Sequence, residues 1–145
     1  MSRTRVDEPV VVTVGFAAGA GGEGIAYAAW PGADGAATNL VRVGFRIRPL
    51  PALRGRDVAY RALGAVAAEL VRRKIGVAEL RTEDAELCAD LVARRALPGA
   101  LIVPYVTLRC ALNRLERATV AFSDERTVRD LTARARAEAC LTVAA

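Results

Sequence analysis

The sequence predicts an α/β fold in which three antiparallel strands come first and two further strands alternate with helices. Three observations carry that expectation. β-branched and alternating runs fill the first third of the chain, separated by short stretches of turn residues. Near residue 55 the apolar period lengthens from two to between three and four. Two short apolar runs further on lie between helical segments, the pattern of strands reached by crossover.

Val10-Val11-Val12-Thr13-Val14-Gly15-Phe16 is apolar on both faces, so it reads as a central strand beginning near Pro9. The glycine-rich stretch from Ala17 to Glu23 reads as a hairpin turn, because it lacks the lysine and the G-K-[ST] ending of a phosphate loop. A second strand follows from Gly24 to Trp30, then a loop through Pro31-Gly32-Ala33-Asp34-Gly35. From Leu40 to Arg48 the alternation is clean. Val41, Val43, Phe45 and Ile47 point one way; Arg42, Arg46 and Arg48 point the other. Pro49-Leu50-Pro51 breaks the chain. A helix is expected from about Gly55 to Lys74, with Ala59, Ala62, Leu63, Val66 and Leu70 as its inward stripe. A short strand spans Ile75 to Leu80. A second helix is expected from Glu83 to Arg95, burying Leu87, Cys88, Leu91 and Val92 and ended by Pro98-Gly99. A third is expected from Pro104 to Leu115, with Tyr105, Leu108, Leu112 and Leu115 inward. Ala118 to Phe122 makes a fifth strand. Ser123 or Asp124 is placed to cap a last helix from Glu125 to Cys140.

Composition bounds the function. With 145 residues and a hydrophobic share of 53%, the chain is expected to form one domain over 1–145, its core running from about residue 9 to 140. No apolar run reaches the roughly 18 residues of a membrane span, and no secretory leader pattern is seen, so a cytoplasmic protein is expected. The net charge is +5, and Lys74 is the only lysine among 21 basic residues. Arginine pairs well with phosphate, so nucleic acid is an expected partner; GC-rich coding is the competing explanation. Cys88, Cys110 and Cys140 are widely spaced in apolar stretches and read as buried small hydrophobes. The chain has no histidine, which excludes Ser-His and Cys-His catalysis.

The element order resembles that of the ribonuclease H-like superfamily, and local sequence follows it. Tyr60-Arg61-Ala62-Leu63 resembles the A-E-Y-x-A-L start of the family's first helix. The stretch from Leu80 to Leu87 resembles the strand end and helix start that carry D-S-x-x-V. Tyr105 to Leu115 resembles the stretch before the final strand and helix. Arg129-Asp130-Leu131-Thr132-Ala133 resembles A-D-x-L-A. The resemblance spans roughly residues 9 to 140. It implies a mixed five-stranded sheet in the order 3-2-1-4-5, with strand 2 antiparallel to the rest and helices on both faces.

Active members of that family cleave phosphodiesters with two divalent cations held by converging carboxylates. Carried over residue by residue, the resemblance retains Asp84 after the fourth strand and Asp130 in the last helix. The first-strand acid should fall near Gly15, Phe16 or Ala17, yet no acid lies between Glu8 and Glu23. The first-helix glutamate should precede Tyr60, where Ala59 stands. Asp57 is turned by about 200° from that position, and Glu69 lies nearly three turns on. The asparagine expected four residues before the last acid is Arg126. The resemblance therefore implies an incomplete, degenerate site. It is expected to need no cofactor and to hold at most one weakly bound magnesium or manganese ion on Asp84 and Asp130.

The retained residues have simpler uses. Asp84 stands at a helix start, where acids favour the macrodipole. Asp130 is spaced to pair with Arg126 or Arg134. Arg42, Arg46 and Arg48 form either a phosphate-tracking face or the solvated side of a strand, and Arg54, Arg56 and Arg61 would join them only if the first helix starts beside that strand. Tyr27 and Trp30 stack on bases or pack in the sheet. The expected function is a non-catalytic nucleic-acid- or protein-binding module. Its expected partner is an RNA–DNA hybrid or other nucleic acid, another protein or a second copy, and not a membrane. The alternative is an active magnesium- or manganese-dependent RNA–DNA hybrid endoribonuclease whose site is rebuilt with Glu23, Asp57 or Glu69.

Overall fold

The alternating and helical runs fold into nine elements. They are β1 (Val10–Ala18), β2 (Glu23–Trp30), β3 (Asn39–Arg46), α1 (Arg56–Arg72), β4 (Val77–Thr82), α2 (Ala85–Ala93), α3 (Gly99–Asn113), β5 (Arg117–Phe122) and α4 (Arg126–Ala144). The structure is a computed structural model that describes residues 8–32, 37–48, 55–93 and 96–144. The strands form one sheet in the order β3-β2-β1-β4-β5. β2 is antiparallel to both neighbours, while β1, β4 and β5 run parallel. This is the expected topology.

The glycine-rich stretch makes the β1–β2 hairpin. The Gly19 amide donates to the Glu23 carbonyl at 2.9 Å, and Gly22 takes the left-handed conformation, φ 85°, that a side chain would resist. β3 pairs with all of β2 but ends at Arg46, two residues short of the expected limit.

The two faces of the sheet are covered differently. On one face the α1 stripe of Ala59, Ala62, Leu63, Val66 and Leu70 is buried as expected and packs on Val12, Val14 and Leu80. α2 and α3 extend this core with Leu87, Leu101, Leu108 and Leu112. Each of the larger aliphatic side chains there contributes roughly 1.5–3 kcal/mol through removal from water. On the other face α4 lies along β1 and β2, burying Ala135 against Ile25 and Tyr27.

α1 stops in a Schellman arrangement. The Lys74 amide donates to Val71 and the Ile75 amide to Leu70, with Lys74 itself at φ 61°. α3 begins at Gly99 rather than Pro104. Pro98 precedes the helix as its N-cap, so Pro98-Gly99 starts α3 instead of closing α2, and Pro104 is accommodated inside the helix. Val92, expected inside, is 79% exposed, because α2 buries only one narrow side through Leu87, Cys88 and Asp90. Cys88 is buried, but Cys110 of α3 and Cys140 of α4 are exposed. Residues 33–35 of the expected loop, the break at Pro49-Leu50-Pro51, Arg54 and Arg95 lie outside the described residues. Among the described residues no helix is long and apolar enough to cross a membrane.

Candidate functional site

The site implied by the carboxylate pattern belongs where β1 and β4 separate. The two strands pair from Val10–Ala78 to Thr13–Arg81, whereas β1 goes on beside β2 as far as Ala18. The last residue of β4 is Thr82, fully buried. Asp84 stands two residues beyond, and its Oδ1 accepts from the Leu87 amide at 2.9 Å. It caps α2, at the helix start where its acid charge is expected to favour the macrodipole.

Asp130 is on the exposed side of α4, with Arg126 at 3.9 Å. It borders a cavity of about 410 Å³ between the first turns of α4 and the sheet, together with Thr13, Arg81, Glu125, Thr127 and Leu131. Asp84 does not line this cavity. A cation of the protein's own does: Arg81, held by Glu79 at 2.8 Å and by Glu125 at 3.8 Å. Both of these glutamates are thereby engaged with Arg81. Among the described residues no three acid or cysteine side chains form a group able to hold a metal.

Gly15 carries the decisive geometry. A Cβ built on it would lie less than 3.0 Å from the Thr132 nitrogen and from the carbonyl carbon and Cβ of Leu131. The obstruction is mostly backbone, so no rotamer change relieves it. α4 has settled onto the strand at one of the three positions, Gly15, Phe16 or Ala17, where the first-strand acid is expected. Phe16 packs against the α1-side core, and Ala17 packs beneath α4. The residues present therefore do not fit a two-cation centre.

The possible replacements are placed elsewhere. Ala59 is buried in the core. Asp57 is buried at the start of α1. Glu69 binds Arg72 and Arg73, both at 3.0 Å, and Glu23 faces Arg46 at 3.5 Å.

The arginine face is also more occupied than its sequence implies. Arg42 donates to Glu138 of α4 at 2.5 Å. Arg48 is exposed just past β3. Arg56 does not join this face. It turns to α2, where its Nη2 donates to Asp90 at 2.6 Å and its Nε lies 3.2 Å from Glu86 without an aligned hydrogen bond. Arg61 lies between α1 and α3.

Two polar clusters were not foreseen. Buried Asp90 accepts from Arg56 and, at 2.8 Å, from the Tyr60 hydroxyl. Burial, then the bond to Asp90, pushes the Tyr60 hydroxyl above its ordinary titration range. On the opposite face the Tyr27 hydroxyl donates to Glu138, and Arg134 stacks over the Tyr27 ring at 4.6 Å. The Tyr27 hydrogen bond, partly opposed by burial and reinforced by Arg42, holds the Glu138 carboxyl below the usual carboxylate range. These pairs span 30 and 111 residues, so neighbour spacing carries no signal for them. Tyr27 and Trp30 are both buried, consistent with sheet packing rather than base stacking.

No protein-family model and no curated sequence matches the chain. Solved structures do. One is the N-terminal RNase H domain of Rv2228c from Mycobacterium tuberculosis, solved as a fusion with maltose-binding protein. Its TM-score is 0.68 at 15% identity, covering 93% of this chain and 98% of that one. RNase H1 from the halophilic archaeon Halobacterium salinarum NRC-1 gives 0.67 at 16% identity, covering 92% and 98%. LC11-RNase H1, solved in complex with an RNA/DNA hybrid, gives 0.60 at 8% identity, covering 90% and 99%. The chain thus has an RNase H-like fold.

Proposed function

We propose that this chain is a non-catalytic RNase H-like module that binds nucleic acid on its α4 side. One observation above all supports the loss of chemistry: the α4 backbone lies against Gly15 so closely that no carboxylate side chain fits there. In-line hydrolysis by paired cations needs ligands that hold both ions at once. Asp84, used as a helix cap, and Asp130, beside Arg126 and the cavity-lining Arg81, are poorly suited to that task. The reading requires no cofactor.

The nucleic-acid part rests on the basic balance of the chain and on arginines without an ion pair among the described residues. Among these are Arg48 after β3, and Arg129 and Arg136 on α4, all exposed. Arg42 belongs to the clamp that seats α4 and is assigned to structure instead. A structural neighbour solved with an RNA/DNA hybrid makes the hybrid a natural first ligand to test.

The test has two arms. Purified protein with a labelled hybrid and magnesium or manganese should release no more product than an Asp84→Asn/Asp130→Asn control. Cleavage by the unmodified protein that the double substitution abolishes would sink the non-catalytic reading. In the second arm, hybrid binding should fall steeply with salt. Replacing Arg48, Arg129 and Arg136 by alanine should flatten the slope by about one per contact removed. Absence of binding at low salt would leave the protein-partner form of the module.

A further inference from the structure

A second surface lies on the opposite side of the sheet, independent of the nucleic-acid reading. α1 and α3 leave between them a groove of about 380 Å³. Its α1 wall includes Gly64, Ala65 and Ala68, and its α3 wall includes Thr107, Cys110 and Ala111. The charged residues lining it are Arg61 and Arg114. Neither makes an ion pair among the described residues. The nearby acids of α1 do not compensate them: Glu69 is bound to Arg72 and Arg73, and Asp57 is buried at the helix start.

Two features mark the groove as built for contact. Val103, Thr107, Cys110 and Arg114 follow one another at steps of four, three and four, so they share one side of α3. Val103 is 64% exposed and neighbouring Val106 is 50% exposed, extending the apolar lining beyond the groove. The second feature is Gly64, in the middle of a 17-residue helix. Glycine there costs roughly 1 kcal/mol relative to alanine. Yet, apart from the adjoining backbone of α1 itself, no atom of the described residues lies within 4 Å of where its Cβ would stand. Internal packing therefore does not demand this glycine, and it leaves room for a backbone to approach closely from outside.

We infer that the α1–α3 groove docks a short amphipathic helix of another protein, apolar on its inner side and bearing aspartate or glutamate to meet Arg61 and Arg114. Length agrees, since Pro104 to Arg114 covers about 15 Å of helix axis, which matches roughly ten residues of an occupant. A second copy of this chain is disfavoured because it would bring the same arginines together. The chain's first seven residues carry Arg3 and Arg5 against a single acid, so they lack the required charge too. Nucleic acid would leave the apolar floor unmatched.

A displayed library of helix-forming twelve-residue peptides tests the assignment, using the whole protein as bait and Gly64→Leu as counter-selection. Leucine favours helix and fills open space, so that variant should fold; circular dichroism checks it, and Cys110→Arg blocks the groove from the other wall. Enriched peptides should carry apolar residues at steps of three and four with acidic flanks. They should bind at least tenfold more weakly to Gly64→Leu and to Arg61→Glu/Arg114→Glu. The inference is overturned by equal enrichment on blocked and open grooves, or by enriched peptides without acids. It is equally overturned by self-association that Gly64→Leu abolishes, or by nucleic-acid binding that depends on Arg61 and Arg114.

Discussion

The two faces of this sheet hold their helices by opposite means. The α1 face is filled by volume: Leu63, Val66, Leu70, Val12, Val14 and Leu80 are fully buried and interdigitate over an ordinary core. The α4 face is held by proximity. Gly15 of β1 lets a helix backbone come down onto the strand, Ala135 keeps the approach close, and Glu138 ties α4 to Tyr27 and Arg42. The contrast teaches that Gly15 is a packing residue: with α4 where it lies, no side chain fits at that position of β1.

The largest expected effect follows from that closeness. Gly15→Asp forces a side chain into backbone and buries a charge without a partner, so it should destabilise the fold by about 4 kcal/mol or more. Urea unfolding measures it. A variant as stable as the parent would mean that α4 can lift away and that the two faces differ less than described. Leu63→Ala probes the volume-filled side, where loss of a buried leucine should cost about 3 kcal/mol. A cost under about 1 kcal/mol in the same melts would show that the α1 face relaxes as easily as a surface.

Smaller effects sharpen the assignment of single residues. Asp84→Ala should lose about 1 kcal/mol as a broken helix cap, while Asp84→Asn should lose almost nothing because asparagine caps equally well. Equal loss in both would favour a role that needs the negative charge. Glu138→Gln should have a small effect, since Arg42 is half exposed and such pairs contribute at most about 1 kcal/mol. Its pH dependence is more informative. Glu138 titrates below the usual carboxylate range in the folded state. Its contribution is therefore fully present above that range and fades as pH falls through the lowered folded value. Stability curves of parent and variant should be separated by a constant amount at neutral pH and converge in acid. Parallel curves throughout would remove Glu138 from the clamp.

Much of the fold was legible in residue order. The alternation of Val41, Val43 and Phe45 against Arg42 and Arg46, and the stripe from Ala59 to Leu70, are set by neighbours two to four positions apart, and both stand as expected. The start of α3 is not legible in the sequence because Pro104 resembles a boundary, although Pro98 supplies the cap and helix contacts carry the chain past the proline. Asp84 and Asp130 were found as survivors of a pattern. Their actual neighbours, the Leu87 amide and Arg126, lie close in sequence and were within reach of the plainer reading.

What the sequence alone determined is the sequence of strands and helices, the composition of the main core and the lack of an acid anywhere near Gly15. Those are local or compositional properties, written in spacing. Only the tertiary structure decided that α4 presses on Gly15, that Glu138 meets Arg42 across 96 residues, and that Arg61 and Arg114 bracket an open groove. The physical reason is that such distances are fixed by how whole elements pack, and close packing depends on side chains brought together from remote parts of the chain.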